Sequence, residues 1–139
     1  MKISLDPGAV IPKRAHPYDA GLDLYAPKDM DAVIIHPFGG RVSIDTKTHV
    51  AVPQHFAGLV KSRSGMMLKG IVTDGTVDPD YTGSIRVTLF NHGSEEWTVN
   101  PGDRIAQLVI VPCCLPSLEL VDELEETCRG NNGFGSSGR

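Results

Sequence analysis

The sequence predicts an all-β protein, a jelly-roll-like β-sandwich or barrel with one short helix. Its 15 glycines and 10 prolines among 139 residues favour strands and turns. Apolar and polar residues alternate with a period of two in several segments, as they do in half-buried strands. A chain of this length builds one core, so we expect one folded domain over residues 1–128 and a flexible arm over residues 129–139.

The clearest predicted strand covers residues 42–52 and ends at Pro53. Every second residue on its core side is apolar or β-branched: Val42, Ile44, Thr46, Thr48, Val50 and Val52. Residues 84–89 alternate in the same way and are followed by a turn over residues 91–93. Trp97 and Val99 then begin another strand.

Residues 105–111 are apolar on both faces apart from Gln107, which predicts a strand buried on both sides. A buried amide needs hydrogen-bond partners, and for Gln107 alone we favour the backbone over a ligand. The preceding Gly102-Asp103-Arg104 predicts a turn that carries a surface ion pair of small energetic value.

Two segments have helical character. Residues 64–69 predict a helix of one or two turns with Ser64 as its N-cap. The leucine spacing of residues 117–126 fits a helix or a strand, and both alternatives stay open.

Charge and composition exclude several classes of function. A net charge of −4 makes non-specific binding to nucleic acid or to an anionic membrane a poor first hypothesis. The three cysteines form no Cys-x-x-Cys pair, so we expect reduced, mostly buried thiols. No signal peptide and no apolar run of about 20 residues is present. These observations predict a soluble, cytoplasmic protein.

The segment from Gly75 to Gly83 carries more functional groups than a structural turn requires. If it is extended, Asp78 and Asp80 point to opposite faces, so one acid acts alone. Asp78 is a candidate general base for a bound water, and the alternative is ordinary Asx-turn chemistry. The nearby ring of Tyr81 adds to the case for a ligand.

Three further features are ambiguous when each is taken alone. Arg63-Ser64-Gly65 combines a guanidinium, a hydroxyl and helix-terminal N–H groups, which suits either a phosphate site or plain helix capping. Asp23 is either an acid that stabilises a turn or a group that orients the residues and waters around a ligand. The glycine-rich end carries Arg129 and Phe134, which fit a disordered terminus or a lid ordered by nucleotide.

Taken in order, five segments resemble the motifs of the homotrimeric dUTPase family and span almost the whole chain: Ala20–Leu24, Arg63–Gly65, Gly75–Gly83, Gly102–Leu108 and Arg129–Gly138. The resemblance implies a trimer whose three sites are each assembled from all three subunits. It implies Mg²⁺-assisted hydrolysis of dUTP to dUMP and pyrophosphate, which limits uracil in DNA and supplies dUMP.

The resemblance also implies roles for individual residues. Asp78 would position the attacking water, and Arg129 would stabilise charge on the phosphates. Asp23 would hold the waters of Mg²⁺, with no direct protein ligand to the metal. The residues implied to bind substrate are Arg63, Ser64, Gly65, Gly75, Val77, Asp78, Tyr81, Gln107, Arg129, Phe134, Gly135 and Ser136.

The chain departs from the family pattern in one important place. Only Thr73 and Asp74 separate Ile71-Val72 from Gly75, fewer residues than many members place in the hairpin that contacts uracil. Main-chain groups around Val77, or Asp74 itself, are then the alternatives for recognition of the base. Two other functions remain in view: a dCTP deaminase-like enzyme, and a regulatory protein that binds dUTP and turns it over slowly.

Overall fold

A computed structural model describes residues 1–133, which form a nearly all-β fold with one short helix. In chain order its elements are β1 (Lys2–Leu5), β2 (Gly21–Tyr25), β3 (Val33–Ile35), β4 (Gly40–Ala51), β5 (Phe56–Lys61), α1 (Ser64–Met67), β6 (Ile71–Val72), β7 (Asp74–Val77), β8 (Ser84–Asn91), β9 (Trp97–Val99) and β10 (Arg104–Pro112). The predicted all-β class with a single short helix is therefore confirmed for the described chain.

Two four-stranded sheets form the body of the fold. One has the order β1-β4-β8-β6 and the other the order β2-β10-β5-β7, while β3 and β9 make a separate pair. Each of these pairings is antiparallel. Buried side chains from both sheets meet in one core, drawn chiefly from Leu24, Ile44, Val50, Val60, Ile71, Ile85, Val87, Leu89, Ile105 and Leu108. The arrangement is the sandwich that the strand pattern predicts.

The longest predicted strand is confirmed as β4, and its alternation matches burial. Ile44, Thr46, Thr48 and Val50 are buried, whereas the residues between them are partly exposed. The Thr46 hydroxyl donates to the Ile85 carbonyl at 2.8 Å, so this polar group enters the core with a partner. A register shift interrupts the pairing of β4 with β8 between Asp45 and His49. At this bulge Lys47 has a φ of 56°.

The strand predicted around Gln107 is β10, the central strand between β2 and β5. Ile105, Ala106 and Leu108 are buried as expected. The prediction of burial on both sides is wrong for the second half, because residues 109–111 are only partly covered. Within residues 1–133, that half of the strand therefore keeps part of its surface open.

The short helix is confirmed, but the predicted N-cap is wrong. Helix α1 begins with Ser64, and its N-cap is Arg63, whose backbone is extended and whose side chain makes no capping hydrogen bond. The hydroxyl of Ser64 is therefore not needed to cap the helix. Residue 64 and its neighbour Gly65 are both exposed.

Two other local predictions are wrong. Residues 117–126 form neither helix nor strand, and Leu118, Leu120 and Leu124 are 86% exposed or more. Asp103 and Arg104 do not pair with each other: Asp103 accepts from the Asn100 amide at 2.8 Å and so closes its own turn.

The cysteines are free, as expected, but they are not buried: Cys113 is partly exposed, and Cys114 and Cys128 are exposed. The single helix within residues 1–133 has four residues, so this part of the chain holds no helix with the length and hydropathy of a membrane span.

Candidate active site

The first candidate site is a groove beside the start of α1, here called the Arg63 groove. It is bounded by the loop before β2, by β2 and β10, and by the first residues of the helix. Its lining residues are Ala15, Asp19, Ala20, Gly21, Asp23, Arg63, Ser64, Gly65 and Gln107. Four of the predicted phosphate-binding residues, Arg63, Ser64, Gly65 and Gln107, thus come together with Asp23, although they are up to 84 positions apart in sequence (107 − 23).

A buried carboxylate orients the arginine of this groove. Oδ1 of Asp23 accepts a hydrogen bond from Nε of Arg63 at 3.0 Å, and Oδ2 accepts one from Nη1 of Arg104 at 3.3 Å. The Asp23 side chain is 12% exposed and that of Arg63 is 28% exposed. Because only Nε of Arg63 is used in this pair, the rest of its planar guanidinium fork remains to bind an anion.

Gln107 confirms the expectation of a backbone partner. Its amide nitrogen donates to the Ser62 carbonyl at 3.0 Å, which fixes the side chain across the strand pair β5 and β10. The remaining amide oxygen lies next to Gly21, where a Cβ atom would come within 2.3 Å of it. Residue 21 must therefore be glycine for Gln107 to keep this position.

The outer wall of the groove is a loop that holds a second carboxylate. Arg14 donates to the Asp19 and Ala20 carbonyls at 2.6 and 2.8 Å, and the His16 amide donates to Oδ2 of Asp19 at 2.8 Å. This hydrogen bond from the backbone of His16 lowers the pKa of Asp19. The groove therefore presents the ionised carboxylate of Asp19 near the ion pair of Asp23 with Arg63.

Beside the helix start, the protein leaves open space for a ligand. A Cβ atom on Gly65 would meet no atom within 4 Å. The first N–H groups of a helix have no partner within the helix, so those of Ser64 and Gly65 are suited to an anion. The hydroxyl of Ser64, which does not cap the helix, adds one more donor.

The second candidate site, here called the Asp78 groove, lies along β7 and the turn that follows it. Its lining residues are Val60, Gly75, Thr76, Val77, Asp78, Tyr81, Ile85 and Arg86. The four predicted substrate residues of this segment, Gly75, Val77, Asp78 and Tyr81, are thus together. Val77 is buried and forms part of the core, whereas the carboxyl group of Asp78 is exposed.

The segment is not extended as far as Asp80, because the chain turns where β7 ends, so the condition for Asp78 and Asp80 to point to opposite faces is not met. The Tyr81 amide donates to the Asp78 carbonyl at 3.2 Å, which closes a turn over these residues. Both carboxylates line a further depression next to Gln54 and His55. Only Asp78 also lines the groove that contains Tyr81.

A hydrogen bond and a glycine fix the ring of Tyr81. Its hydroxyl donates to the Ser84 carbonyl at 2.9 Å, while the side chain remains 44% exposed. The ring crosses over Gly83 so closely that a Cβ atom there would lie 2.5 Å from the hydroxyl oxygen. The tyrosine is therefore held as an exposed aromatic surface beside Asp78.

Asp74 is engaged elsewhere. Lys61 donates to Oδ1 of Asp74 at 2.6 Å across the paired strands β5 and β7, and this hydrogen bond lowers the pKa of Asp74. Asp74 does not line the Asp78 groove. Since β7 is an edge strand, one row of its backbone groups has no strand partner among residues 1–133.

The two grooves share no lining residue, and Arg129 lies in neither of them. Arg129 is exposed and donates within its own turn, to the Asn132 carbonyl at 3.0 Å and the Gly133 carbonyl at 3.4 Å. The predicted substrate residues Phe134, Gly135 and Ser136 lie outside the described residues. A single chain therefore brings the predicted residues together in two groups, not one.

Sequence reasoning gave no individual role to three residues in or beside the Arg63 groove. Arg104 appeared only within a turn and a motif, yet it is a second partner of Asp23. Gly21 and Asp19 were not singled out, although the pattern around Gly21 offered a signal: a glycine inside a strand often marks a close approach.

We predict that Gly21→Ala displaces Gln107 and weakens nucleotide binding with little loss of stability. The new Cβ atom cannot coexist with the present Gln107 amide, so that side chain must leave the groove. Loss of one hydrogen bond to a charged phosphate corresponds to a roughly tenfold or greater rise in Kd. Calorimetric titration of the wild type and of Gly21→Ala with a nonhydrolysable nucleotide measures this change in Kd.

The fold and these grooves define an all-β protein with a groove that holds an arginine beside the start of a helix and a separate turn that presents a carboxylate and an aromatic ring. The sequence profile of the dUTPase family matches residues 8–138. The chain belongs to the dUTPase family.

Individual relatives agree with this assignment. The deoxyuridine 5'-triphosphate nucleotidohydrolase of Syntrophotalea carbinolica is 44% identical over 134 residues, which cover 94% of this chain and 90% of that protein. The protein of the same name from rabbitpox virus is 44% identical over 128 residues, with coverages of 91% and 84%.

Solved structures show the same fold. The dUTPase of Staphylococcus bacteriophage 80alpha with dUpNHpp has a TM-score of 0.88 and 31% identity, and the match covers 99% of this chain and 98% of that one. A mutant dUTPase from phage phi11 of S. aureus, described with the coordination of a structural Mg(II) ion, has a TM-score of 0.78 and 28% identity. In that comparison 90% of this chain and 98% of the phage chain are covered.

Proposed function

We propose that this protein hydrolyses dUTP to dUMP and pyrophosphate. The observation that carries the proposal is the Asp78 groove, where an exposed carboxylate and an exposed tyrosine ring stand beside the open edge of β7. Membership of the dUTPase family, with relatives named deoxyuridine 5'-triphosphate nucleotidohydrolase, supports this substrate.

The base of the nucleotide is read by the backbone of β7. Uracil presents two carbonyl oxygens and one N–H, which complement the donors and acceptors along a strand edge. Gly75, Thr76 and Val77 line the groove, while the carboxylate of Asp74 is occupied by Lys61. Of the two alternatives left by the short hairpin, the main chain near Val77 is therefore favoured over Asp74.

The sugar packs on the ring of Tyr81. The ring is held in place by the Ser84 carbonyl and by the lack of a side chain at Gly83. A rigid ring leaves no room for the 2'-hydroxyl of a ribose, so discrimination against UTP follows from exclusion at this position. Asp78, on the same turn, lies within reach of the sugar and of a water molecule.

The triphosphate binds in the Arg63 groove. Arg63, Ser64, Gly65 and Gln107 supply a guanidinium fork, a hydroxyl, helix-terminal N–H groups and an amide. The carboxylates of Asp19 and Asp23 line the same groove, so the protein alone offsets little of the negative charge of a triphosphate.

The composition of the Arg63 groove fits Mg²⁺ held mainly by phosphate oxygens and water. Within residues 1–133 no group of three or more His, Cys, Asp or Glu side chains is arranged to hold a metal ion. Each carboxylate oxygen of Asp23 accepts a hydrogen bond from one arginine. Each oxygen keeps a further lone pair that can accept a hydrogen bond from a metal-bound water. When bound, Mg²⁺ neutralises phosphate charge and makes pyrophosphate a better leaving group.

A homotrimer completes the site. The two grooves of one chain share no lining residue, and Arg129 lies in neither, so neighbouring subunits must supply what each groove lacks. We assign Arg129 to the phosphates, Phe134 to stacking on uracil, and Gly135 and Ser136 to the closing of the arm over the nucleotide. Residues 129–139 form this arm, and residues 1–128 form the β-domain.

Asp78 activates the attacking water. Its carboxylate accepts a proton from the water as the oxygen forms a bond to the α-phosphorus and the bond to the bridging oxygen breaks. The electron pair of that bond leaves with pyrophosphate, and dUMP keeps the oxygen that came from water. Positioning in the closed site supplies much of the rate.

Hydrolysis in ¹⁸O-labelled water tests this function. We expect the label to appear in dUMP and not in pyrophosphate, detected by mass spectrometry of the products. Label in pyrophosphate would place the attack on another phosphorus, and release of ammonia from dCTP would identify a deaminase instead.

A further inference from the structure

His49 connects the N-terminal strand to the turn that carries Asp78. It lies on β4, opposite Ser4 of β1 on one side and Ser84 of β8 on the other. Its Nδ1 is 2.9 Å from the Thr82 carbonyl oxygen, and its Nε2 is 3.0 Å from Oδ2 of Asp6. The side chain is 25% exposed, so water reaches only part of it.

Both partners of His49 are hydrogen-bond acceptors. A neutral imidazole has one N–H and donates only once, whereas the imidazolium has two and donates to both. The geometry is therefore satisfied in full only by the doubly protonated ring. On deprotonation, either the Thr82 carbonyl or the Asp6 carboxylate loses its donor.

The β4 bulge brings this ring to the turn. With Lys47 at a φ of 56° the pairing with β8 shifts register, and pairing resumes with His49 opposite Ser84. Two other contacts hold the same end of the turn: Ser84 donates to Asp45 at 2.6 Å, and Tyr81 donates to the Ser84 carbonyl. Of the two β4 side chains that contact this end of the turn, Asp45 and His49, only His49 hydrogen-bonds to the Thr82 carbonyl.

We propose that protonated His49 is a positioning residue that holds the turn from Asp78 to Gly83 in its hydrolytic geometry. This proposal rests on the proposed function, because the turn carries Asp78 and Tyr81. His49 does not touch the nucleotide; it acts through the Thr82 carbonyl. Loss of its proton loosens the turn and lowers the efficiency of hydrolysis.

The charges around His49 favour its protonated form. Asp6 follows β1 and Asp45 lies on β4, while the cations nearby are Lys2 on β1 and Arg86, which is 3.5 Å from Asp45. The hydrogen bond to Asp6, followed by that to the Thr82 backbone, raises the pKa of His49 above 6.5. The stabilisation is thus fully present below pH 6.5 and is lost as the pH rises through the raised pKa.

The test compares His49→Gln and Asp6→Asn with the wild-type protein. Near pH 6, the single NH2 group of glutamine replaces N–H donors on two separate ring nitrogens, so we expect His49→Gln to lower kcat/KM for dUTP by about fivefold. The kcat/KM of the wild type divided by that of His49→Gln should fall towards one as the pH rises and His49 of the wild type loses its proton. His36→Gln is the matched control. His36 also pairs with a carboxylate, that of Glu96 at 2.9 Å, but this pair lies away from the turn.

Histidine titration by NMR gives a readout that does not depend on activity. We expect a His49 pKa above the ordinary value, lowered by Asp6→Asn, with amide shifts of Tyr81, Thr82 and Gly83 that follow the same titration. A His49 pKa that Asp6→Asn leaves unchanged, or a rate ratio that is constant with pH, would overturn the proposal. If the wild type does not hydrolyse dUTP, the proposed function fails, while the amide shifts still decide whether His49 controls the turn.

Discussion

Replacing Asp78 with asparagine is expected to lower kcat for dUTP by at least about 100-fold, the lower end of the contribution of a general base. Asp78 is exposed and lines the Asp78 groove, where we propose that the attacking water lies. Asparagine has the same shape but cannot accept the proton. The turn should survive, because it is closed by the backbone contact of Asp78 with Tyr81 and not by the side chain.

Single-turnover kinetics and equilibrium binding together check this prediction. We expect the Kd of Asp78→Asn for dUTP to stay close to that of the wild type while the hydrolytic step slows. Asp80→Asn is the matched control, since Asp80 is exposed on the same turn but does not line the groove that contains Tyr81. Normal turnover by Asp78→Asn, or an equal loss in Asp80→Asn, would remove Asp78 from the chemistry.

Deletion of residues 129–139 is expected to reduce kcat/KM by about 1000-fold, the scale of an arginine that stabilises charge in phosphoryl transfer. The truncated protein should keep its thermal midpoint and the trimeric state that we propose for the intact protein. In the described part of the arm, Arg129 donates to the carbonyls of Asn132 and Gly133, and Gly130 donates to Thr127 just before the arm. Such a segment adds nothing to the core.

Thermal melts, light scattering and pyrophosphate release measured on the same preparation separate the two roles of the arm. Arg129→Lys in the full-length chain is the control, because it keeps the charge but loses the planar fork. We expect this variant to lose a substantial part of the activity and none of the stability. A truncated protein that unfolds, or that hydrolyses dUTP normally, would contradict a catalytic role for the arm.

The strands could be predicted from sequence because their signal is local. The alternation in residues 42–52 depends on neighbours two positions apart, and it identified β4 with the correct core side. Residues 117–126 show the limit of the same reasoning. Their leucine spacing has a helical or strand period, yet Leu118 and Leu120 lie exposed in irregular chain, since no partner within the described residues pairs with them.

The contacts that build the site depend on long-range geometry. The partners of Asp23 are 40 and 81 residues away in sequence, and no local pattern connects them. Arg63 took the N-cap position expected for Ser64, because the start of the helix is set by the end of β5 and the extended backbone at Arg63. The motifs therefore identified which residues matter, whereas the structure supplied the two grooves and the ion pairs that orient them.

The most direct test of the account is pyrophosphate release from dUTP with Mg²⁺, measured beside dCTP, dTTP and UTP at equal concentration. We predict release from dUTP alone, because we propose that the β7 edge reads uracil and that Tyr81 excludes the ribose of UTP. Comparable release from several of these nucleotides would contradict recognition of uracil by β7. No release from dUTP by the intact protein would contradict the proposed function itself.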